Sequence, residues 1–395
     1  MCKSINMNFD SPCMCSSCSD WAGLPKELVE LIADKIESSV HYLRFGAVCV
    51  PWLSVVRDNL SKHNAKFRHQ APLLLIPDKH KRTWRAYDVM KDKFLESKLR
   101  VPYERRFCGS SEEGWLVGVN KDSSVTLHKP GYTYSNVRLP RMQFPRGFGL
   151  YFMNDAEVSA YHVKRAIVKS DEKAESNELA VVARYGEFND LAFIRHGKDA
   201  TWSNITYDNP WFKALDVLHY NNQFYAINFW DDLVAFNGTD SFTRIELVAP
   251  KTAETECCNK YLVKSCGGEL LLVKRYTDWP KVGDLRVRGS FLVYRCDFDG
   301  KKWIEVTSLG GTALFLGDSF SISVLASNFP GCQPNCIYFT HDNDDLFWEK
   351  TMIYDLGVYN LESKSFRSHN LIDPTTLMGT SDERLPIWFV PRIIL

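Results

Sequence analysis

The feature of this sequence that most limits its fold is a long series of short apolar segments beginning near Pro72. Each segment alternates apolar with polar residues, or is apolar throughout, and ends at Gly, Asn, Asp or Lys. This pattern predicts β-strands separated by turns rather than long helices. The clearest predicted strands are residues 73–77, 114–119, 125–128, 179–185, 191–196, 223–229, 233–238, 269–276, 291–300, 335–342 and 356–363.

A weak repeat runs through these segments. Its unit is a strand, a polar turn, and an aromatic or aliphatic residue that opens the next strand, with one degenerate unit near residues 125–127. The pairs Asn221-Asn222 and Gly267-Gly268 predict hairpin turns, because these residues tolerate positive φ. The anchors of the repeat recur at intervals of roughly 40–65 residues, or about twice that across the degenerate unit, which suits four-stranded blades. The anchors are Tyr87, Phe193, Phe236, Tyr294 and Tyr359.

The expected fold class is therefore mainly β, with a kelch-like β-propeller of about six or seven blades. A β-sandwich is the alternative, although a sandwich does not need a recurrent strand–turn–aromatic unit. If the sheet closes into a ring, its last strand should come from residues 387–390. This segment is apolar enough to complete an early blade and to remove an exposed edge.

A small helical module is predicted before the strands. Apolar residues recur at helical spacing and form one stripe, a second amphipathic stretch follows, and Pro51 fits the first turn of a third helix. Pro25 similarly fits the first turn of the first helix. Three short helices cannot bury all their apolar surface among themselves, so a partner or the larger domain should cover the rest. The stripe consists of Leu24, Leu28, Leu31, Ile32 and Ile36.

Composition limits the classes of partner. The formal net charge is +0, which removes the broad electrostatic argument for binding nucleic acid or an anionic membrane. No apolar run reaches the roughly 18–20 residues that span a bilayer. The 12 cysteines are scattered, and no signal peptide opens the chain, so we expect an intracellular protein of the nucleus or the cytoplasm.

The N-terminal stretch then carries a resemblance. Residues 21–56 resemble an F-box, with Leu24-Pro25 at the start, the Leu28 and Ile32 stripe, and Val48-Cys49-x-x-Trp52 at the end. The following domain resembles the KIB-type β-propeller that accompanies such F-boxes in plants. The matching stretches are residues 109–119, 265–276, 317–344, 356–363 and 386–391.

The resemblance implies a function. An F-box docks onto the Skp1-like adaptor, and through it onto the cullin, of an SCF-type ubiquitin ligase, while the propeller binds a target protein that the sequence does not identify. Pro51 departs from the family pattern, which more often has Ser or a basic residue there. The implied adaptor-binding residues are Leu24, Pro25, Leu28, Ile32, Val48, Cys49 and Trp52.

Catalytic and metal-binding motifs are weak. No nucleophile elbow, phosphate-binding loop or HExxH motif occurs, and no cofactor is expected. Cys332 and Cys336 could form a redox pair or half a metal site, but their Gly and Pro neighbours favour a turn, with Cys336 entering a buried strand. Three other groups remain as weaker candidates for a metal or a binding surface: Cys2, Cys13, Cys15 and Cys18; His341, Asp342, Asp344 and Asp345; and Trp211, Trp230, Trp279 and Trp348.

The predicted organisation is a disordered tail at residues 1–20, an F-box at 21–60, a linker at 61–71 and a propeller at 72–395. We expect a non-catalytic substrate receptor. One rival hypothesis is a scaffold protein with a decayed F-box. The other is a propeller enzyme, which would need titratable side chains that converge on the central axis.

Overall fold

The computed structural model describes residues 21–36, 39–59, 71–78, 80–95, 101–103, 106–120, 122, 124–130, 135–142, 163–170, 178–186, 188–206, 212–237, 246–249, 252, 259–277, 289–340, 356–366 and 385–391. The chain divides into two compact units between residues 68 and 69. Several predictions concern residues outside the described part: the tail at 1–20 with its four cysteines, most of the linker, the acidic group at 341–345, and Trp211, Trp279 and Trp348.

The first unit is helical. A 3-10 helix at Trp21–Gly23 precedes three α-helices in the described residues: α1 (Lys26–Asp34), α2 (Ser39–Gly46) and α3 (Val50–Asp58). Pro51 lies in the first turn of α3, as predicted, where its missing N–H removes no helical hydrogen bond. No helix among the described residues is long and apolar enough to cross a membrane.

Packing in the helical unit centres on α3, which contacts both α1 and α2. Helix α1 buries Val29 and Ala33, and α3 buries Val55 and Val56. Tyr42 of α2 is fully buried and its hydroxyl donates to the carbonyl of Val56 at 3.3 Å. Burial raises the pKa of this hydroxyl to about 12, so it stays protonated and remains a donor.

The second unit contains six β-sheets, which we number as blades one to six along the chain. The strands of the first three blades are β1 (Leu73–Asp78), β2 (Thr83–Asp88), β3 (Lys93–Phe94), β4 (Arg106–Ser110), β5 (Leu116–Val119), β6 (Ser124–Lys129), β7 (Ser135–Arg141), β8 (Val163–Ser170), β9 (Leu179–Tyr185), β10 (Asp190–Arg195) and β11 (Ser203–Ile205).

The other three blades complete the propeller. Their strands are β12 (Ala214–Tyr220), β13 (Gln223–Asn228), β14 (Leu233–Phe236), β15 (Glu246–Ala249), β16 (Asn259–Lys264), β17 (Leu270–Thr277), β18 (Gly289–Asp297), β19 (Lys302–Val306), β20 (Thr312–Gly317), β21 (Phe320–Leu325), β22 (Cys336–Phe339), β23 (Gly357–Asn360), β24 (Ser365–Phe366) and β25 (Ile387–Phe389).

One strand of each blade lines the centre of the ring. The six inner strands are neighbours in the order β25, β4, β8, β12, β16, β21 and back to β25. The C-terminal strand β25 pairs with β1, with Leu74 opposite Trp388. Blade one is thus assembled from both ends of the domain, which confirms the predicted closing strand and the predicted propeller, and the blade number is six.

The predicted repeat has a simple structural meaning. Each of its five aromatic anchors lies in the strand next to the outer edge of its blade, namely β2, β10, β14, β18 or β23. The polar turn then leads to the outermost strand. At the predicted hairpin between β12 and β13, Asn221 and Asn222 have φ values of 45° and 65°, which asparagine tolerates better than most residues.

Blade six departs from the four-stranded pattern. It has five strands in the order β21-β20-β22-β23-β24, and β20 pairs with β22 in parallel. The chain forms the hairpin β20–β21 first and then crosses back through a 3-10 helix at Ala326–Asn328. The turn of this hairpin, residues 317–320, therefore reaches the inner strands of other blades, as shown below.

The inner strands β4 and β8 approach each other closely at Gly109. A Cβ atom at this position would lie 1.9 Å from the carbonyl oxygen of Ala166, so the two backbones would have to separate. We predict that Gly109→Ala lowers the free energy of unfolding by about 1–3 kcal/mol, as overpacking does in other cores. Urea denaturation of the purified protein measures this change.

Gly267→Ala is the matched control for Gly109→Ala. The nearest neighbour of the added Cβ would be the Ser265 hydroxyl at 3.6 Å, which is an ordinary contact. This variant should therefore unfold at the same urea concentration as the wild type. Equal stability of the two variants would contradict the close approach of β4 and β8.

Candidate functional site

The helical unit has an exposed apolar surface on α1. Leu28, Leu31 and Ile32 are 46%, 59% and 39% exposed. They occupy positions i, i+3 and i+4, which share one side of a helix. Val29 and Ala33 lie on the adjoining side and pack inward. The residues of the predicted stripe at positions 28, 31 and 32 are therefore exposed, whereas the residues that α1 buries, Val29 and Ala33, were not part of that stripe.

Polar contacts between α1 and α3 fix the orientation of this surface. The Lys26 ammonium lies 2.8 Å from an Asp58 carboxylate oxygen, and the Asn59 amide donates to the Glu30 carboxylate at 3.2 Å. The bond to Asp58 raises the pKa of Lys26. These contacts join the first turn and the middle of α1 to the C-terminal end of α3, so Leu28, Leu31 and Ile32 keep their direction without being covered.

The predicted adaptor-binding residues occupy different environments. Leu28, Ile32 and Val48 are exposed, as is Pro25, which is the N-cap residue of α1. Leu24 and the α3 N-cap residue Cys49 are half-buried.

Trp52 differs from the rest of the predicted set because it is only 9% exposed. Its ring stacks on Phe45 with centroids 4.3 Å apart, and its Nε1 donates to the Trp21 carbonyl at 3.1 Å. The side chain therefore holds α2, α3 and the 3-10 helix together. A partner would contact the exposed residues around Trp52 rather than Trp52 itself.

Three exposed apolar residues were missing from the predicted set. Leu31 belongs to the same surface of α1, while Trp21 and Val50 are the first residues of the 3-10 helix and of α3 and are 60% and 80% exposed. Leu31 could have been included from its i+3 spacing to Leu28. Trp21 and Val50 lie outside the helical stripe, so no periodic signal pointed to them.

Charged side chains do converge on the axis of the propeller. Arg165 of β8 and Asp216 of β12 are buried, with Arg165 Nε 2.7 Å from Asp216 Oδ1. Arg165 also donates to the Gly317 carbonyl at 3.2 Å and to the Ser321 hydroxyl at 3.1 Å. Asp216 accepts from the backbone N–H of Leu262 at 2.7 Å. We call this group, which joins blades three to six, the hub.

The hub is arranged for structure rather than for catalysis. Burial raises the pKa of Asp216, and the nearby Arg165 and the N–H groups of Leu262 and Val217 act in the opposite direction. Its neighbour Arg106 is paired with Asp318 at 3.2 Å. A general acid or base must reach a substrate, and Asp216 is sealed and already engaged by its partners.

A second buried ion cluster joins blades four and five. Asp231, in the turn between β13 and β14, lies 2.6 Å from the Lys260 ammonium and 2.5 Å from that of Lys274. Thr252 donates to the same carboxylate at 2.6 Å. The preceding residues Phe229 and Trp230 are exposed, so Trp230 is at the surface, as a recognition residue would have to be.

Cys332 and Cys336 are both free thiols. Cys336 begins strand β22 and is fully buried, as predicted, and the residues directly before the two cysteines, Gly331 and Asn335, have positive φ. Burial raises the pKa of Cys332 to about 11, so this thiol is protonated at neutral pH and is a poor nucleophile or metal ligand. Among the described residues no group of three or more His, Cys, Asp or Glu side chains is placed to hold a metal ion.

Comparison with known proteins agrees with this architecture. The probable F-box protein At1g65740 of Arabidopsis thaliana is 25% identical over 355 residues, covering 82% of this chain and 90% of the relative. The putative F-box protein At1g65770 of the same plant is 28% identical over 334 residues, covering 82% and 90%. The Arabidopsis F-box protein SKIP23 is 27% identical over 385 residues, covering 87% and 90%.

The propeller also matches a family model. The matching family is the KIB1-4 beta-propeller family, and the match covers residues 86–360, which is more than half of the chain. It extends from β2 to β23 and so includes most strands of the ring. The chain therefore belongs to the KIB1-4 beta-propeller family.

Proposed function

We propose that this protein is a substrate-receptor subunit of an SCF-type cullin-RING ubiquitin ligase, working inside the cell in the nucleus or the cytoplasm. The helical unit docks a Skp1-like adaptor, which connects it to a cullin, and the propeller holds a target protein. The F-box relatives support this assignment at the level of the protein class. The observation that carries it is the exposed Leu28, Leu31 and Ile32 surface on a small packed module.

An adaptor gives this surface a physical purpose. Full burial of a large aliphatic side chain contributes roughly 1.5–3 kcal/mol, so covering three of them can support a stable complex. An amphipathic helix of the partner placed against the exposed surface would bury them together. The propeller then acts by proximity, because a bound target is held at high effective concentration beside the transferring enzyme. No catalytic group of this chain takes part.

The adaptor-docking proposal predicts the behaviour of Leu28→Asp/Ile32→Asp. Both side chains are exposed, so the helix should form with only a small loss of propensity. A complex that buries two carboxylates in an apolar interface should lose at least tenfold in affinity. The measurement is co-purification of the full chain with a plant Skp1-like adaptor, with circular dichroism to verify helix content.

Arg44→Asp serves as the control for this experiment. Arg44 is an exposed residue of α2 and lies outside the apolar surface of α1. Adaptor recovery should be retained in this variant. Wild-type recovery by Leu28→Asp/Ile32→Asp would overturn the proposal, and so would failure of the wild-type chain to bind the adaptor. A scaffold protein with a decayed F-box predicts the latter result.

A further inference from the structure

The inner strands of blades three to five end at a common rim of the propeller. Lys169 is the next-to-last residue of β8, His219 is the next-to-last residue of β12, and Lys264 is the last residue of β16. Strand β12 lies between β8 and β16 in the ring. Lysine and histidine residues from three successive blades thus lie near the same ends of neighbouring inner strands.

Hydrogen bonds between blades hold this rim in place. Lys169 Nζ donates to the side-chain oxygen of Asn222 at 2.6 Å, which connects blade three to blade four. The Tyr220 hydroxyl donates to the Gly268 carbonyl at 2.6 Å, which connects blade four to blade five. The Ser323 hydroxyl of blade six donates to the Lys264 carbonyl at 2.7 Å. The strand ends are therefore preorganised.

The two rim lysines have no carboxylate partner within the described part of the chain. Elsewhere in the propeller, Lys198 lies 2.7 Å from Glu178 and Lys213 lies 3.3 Å from Asp190. Neither Lys169 nor Lys264 forms such a pair with a described residue, and Glu269, in the turn after β16, is not within ion-pair distance of Lys264. Within the described residues, therefore, neither of these two ammonium groups is paired with a carboxylate.

His219 lies between the two lysines. Its ring packs edge-on against Phe224 with centroids 5.1 Å apart, and its buried Nε2 has no hydrogen-bond partner among the described residues. Burial first, and then Lys169 and Lys264, lower the pKa of His219 to about 4. The charged groups of the described residues that act on this imidazole are both cations, which agrees with a locally positive potential.

We propose that the rim formed by Lys169, His219 and Lys264 is the target-binding surface of the propeller and takes an acidic peptide segment. This inference rests on the proposed receptor function, since it names the class of target. The Lys169 ammonium, which is held by Asn222, and the exposed Lys264 ammonium favour a segment with carboxylates spaced to meet them. A peptide is favoured over nucleic acid because the chain has a formal net charge of +0, which provides no broad electrostatic attraction for a phosphate backbone.

A labelled peptide of eight glutamates tests the proposal with the full-length protein. Fluorescence anisotropy should show saturable binding that weakens as salt rises, because exposed charges are screened. Lys169→Gln/Lys264→Gln should weaken binding roughly tenfold. The control Lys93→Gln/Lys302→Gln removes the same charge from exposed positions on outermost strands and should bind within about twofold of the wild type.

Two results would overturn the assignment: no saturable binding of the glutamate peptide, or equal weakening in both lysine pairs. Tighter binding of a twelve-nucleotide oligothymidine at the same lysines would also overturn it and would indicate nucleic acid instead. Adaptor co-purification with Lys169→Gln/Lys264→Gln separates the two proposals. Retained adaptor with no peptide binding rejects only the acidic target, whereas absence of adaptor from the wild type rejects the receptor function itself.

Discussion

Trp388→Ala is expected to lower the free energy of unfolding of the propeller by about 3–5 kcal/mol, the range for removing a buried aromatic side chain. Trp388 is fully buried and its ring meets Phe315 at 5.0 Å. Its Nε1 donates to the Leu316 carbonyl at 2.9 Å, and its own carbonyl accepts from the Ser110 hydroxyl at 3.1 Å. One residue thus contacts blades one, two and six where the ring closes.

Urea denaturation followed by near-UV circular dichroism measures the effect of Trp388→Ala. Trp230→Ala is the matched control, because it removes the same side chain from a turn where it is 42% exposed, and it should cost less than about 1 kcal/mol. If the two variants unfold at the same urea concentration, β25 does not close the ring in solution.

Breaking the hub should have a comparable effect. Asp216→Asn removes the carboxylate that is paired with the buried Arg165 guanidinium. Arg165→Met removes the guanidinium that is paired with the buried Asp216 carboxylate. Removing one partner of a buried ion pair costs about 3–5 kcal/mol. We expect each single variant to show a loss of this size, because the pair also organises contacts with Leu262, Gly317 and Ser321.

The double variant Arg165→Met/Asp216→Asn makes this prediction specific to the pair. Its loss in free energy of unfolding should be smaller than the sum of the losses in the two single variants, because neither buried charge is then left without a partner. Asp122→Asn is the surface control. Asp122 meets Arg138 at 2.8 Å with both side chains partly or largely exposed, and such pairs contribute at most about 1 kcal/mol. Strict additivity of the hub variants would contradict their coupling.

Much of the fold could be predicted because the repeated unit is local. A strand, a turn and the next strand lie within a few residues of one another, so residues 179–185 predicted β9 with the bounds that the structure has. The parallel pair β20–β22 could not be predicted in this way. It depends on a crossover inside blade six, and a parallel pairing leaves no turn signal between its strands.

The candidate sites show the same limit. The exposed α1 surface follows from helical periodicity in one short segment, so Leu28 and Ile32 were found in advance. The hub partners are instead 51 residues apart in sequence, from Arg165 to Asp216, and no spacing rule relates them. A usable signal was present for Asp216, which is an isolated carboxylate in the largely apolar strand β12, where a charge must find a partner. Arg165 follows Lys164 directly in β8, so the sequence did not single it out.

The pairing of β1 with β25 also affects how the protein is made. Residues 387–389 follow every other described strand of the propeller in the chain, yet they supply a strand beside Leu73, Leu74 and Leu75. Until they have been synthesised the edge of β1 is unpaired, and an unpaired apolar edge recruits other strands. A chain that stops before β25 would therefore keep an open ring, so closure of the propeller waits for this strand.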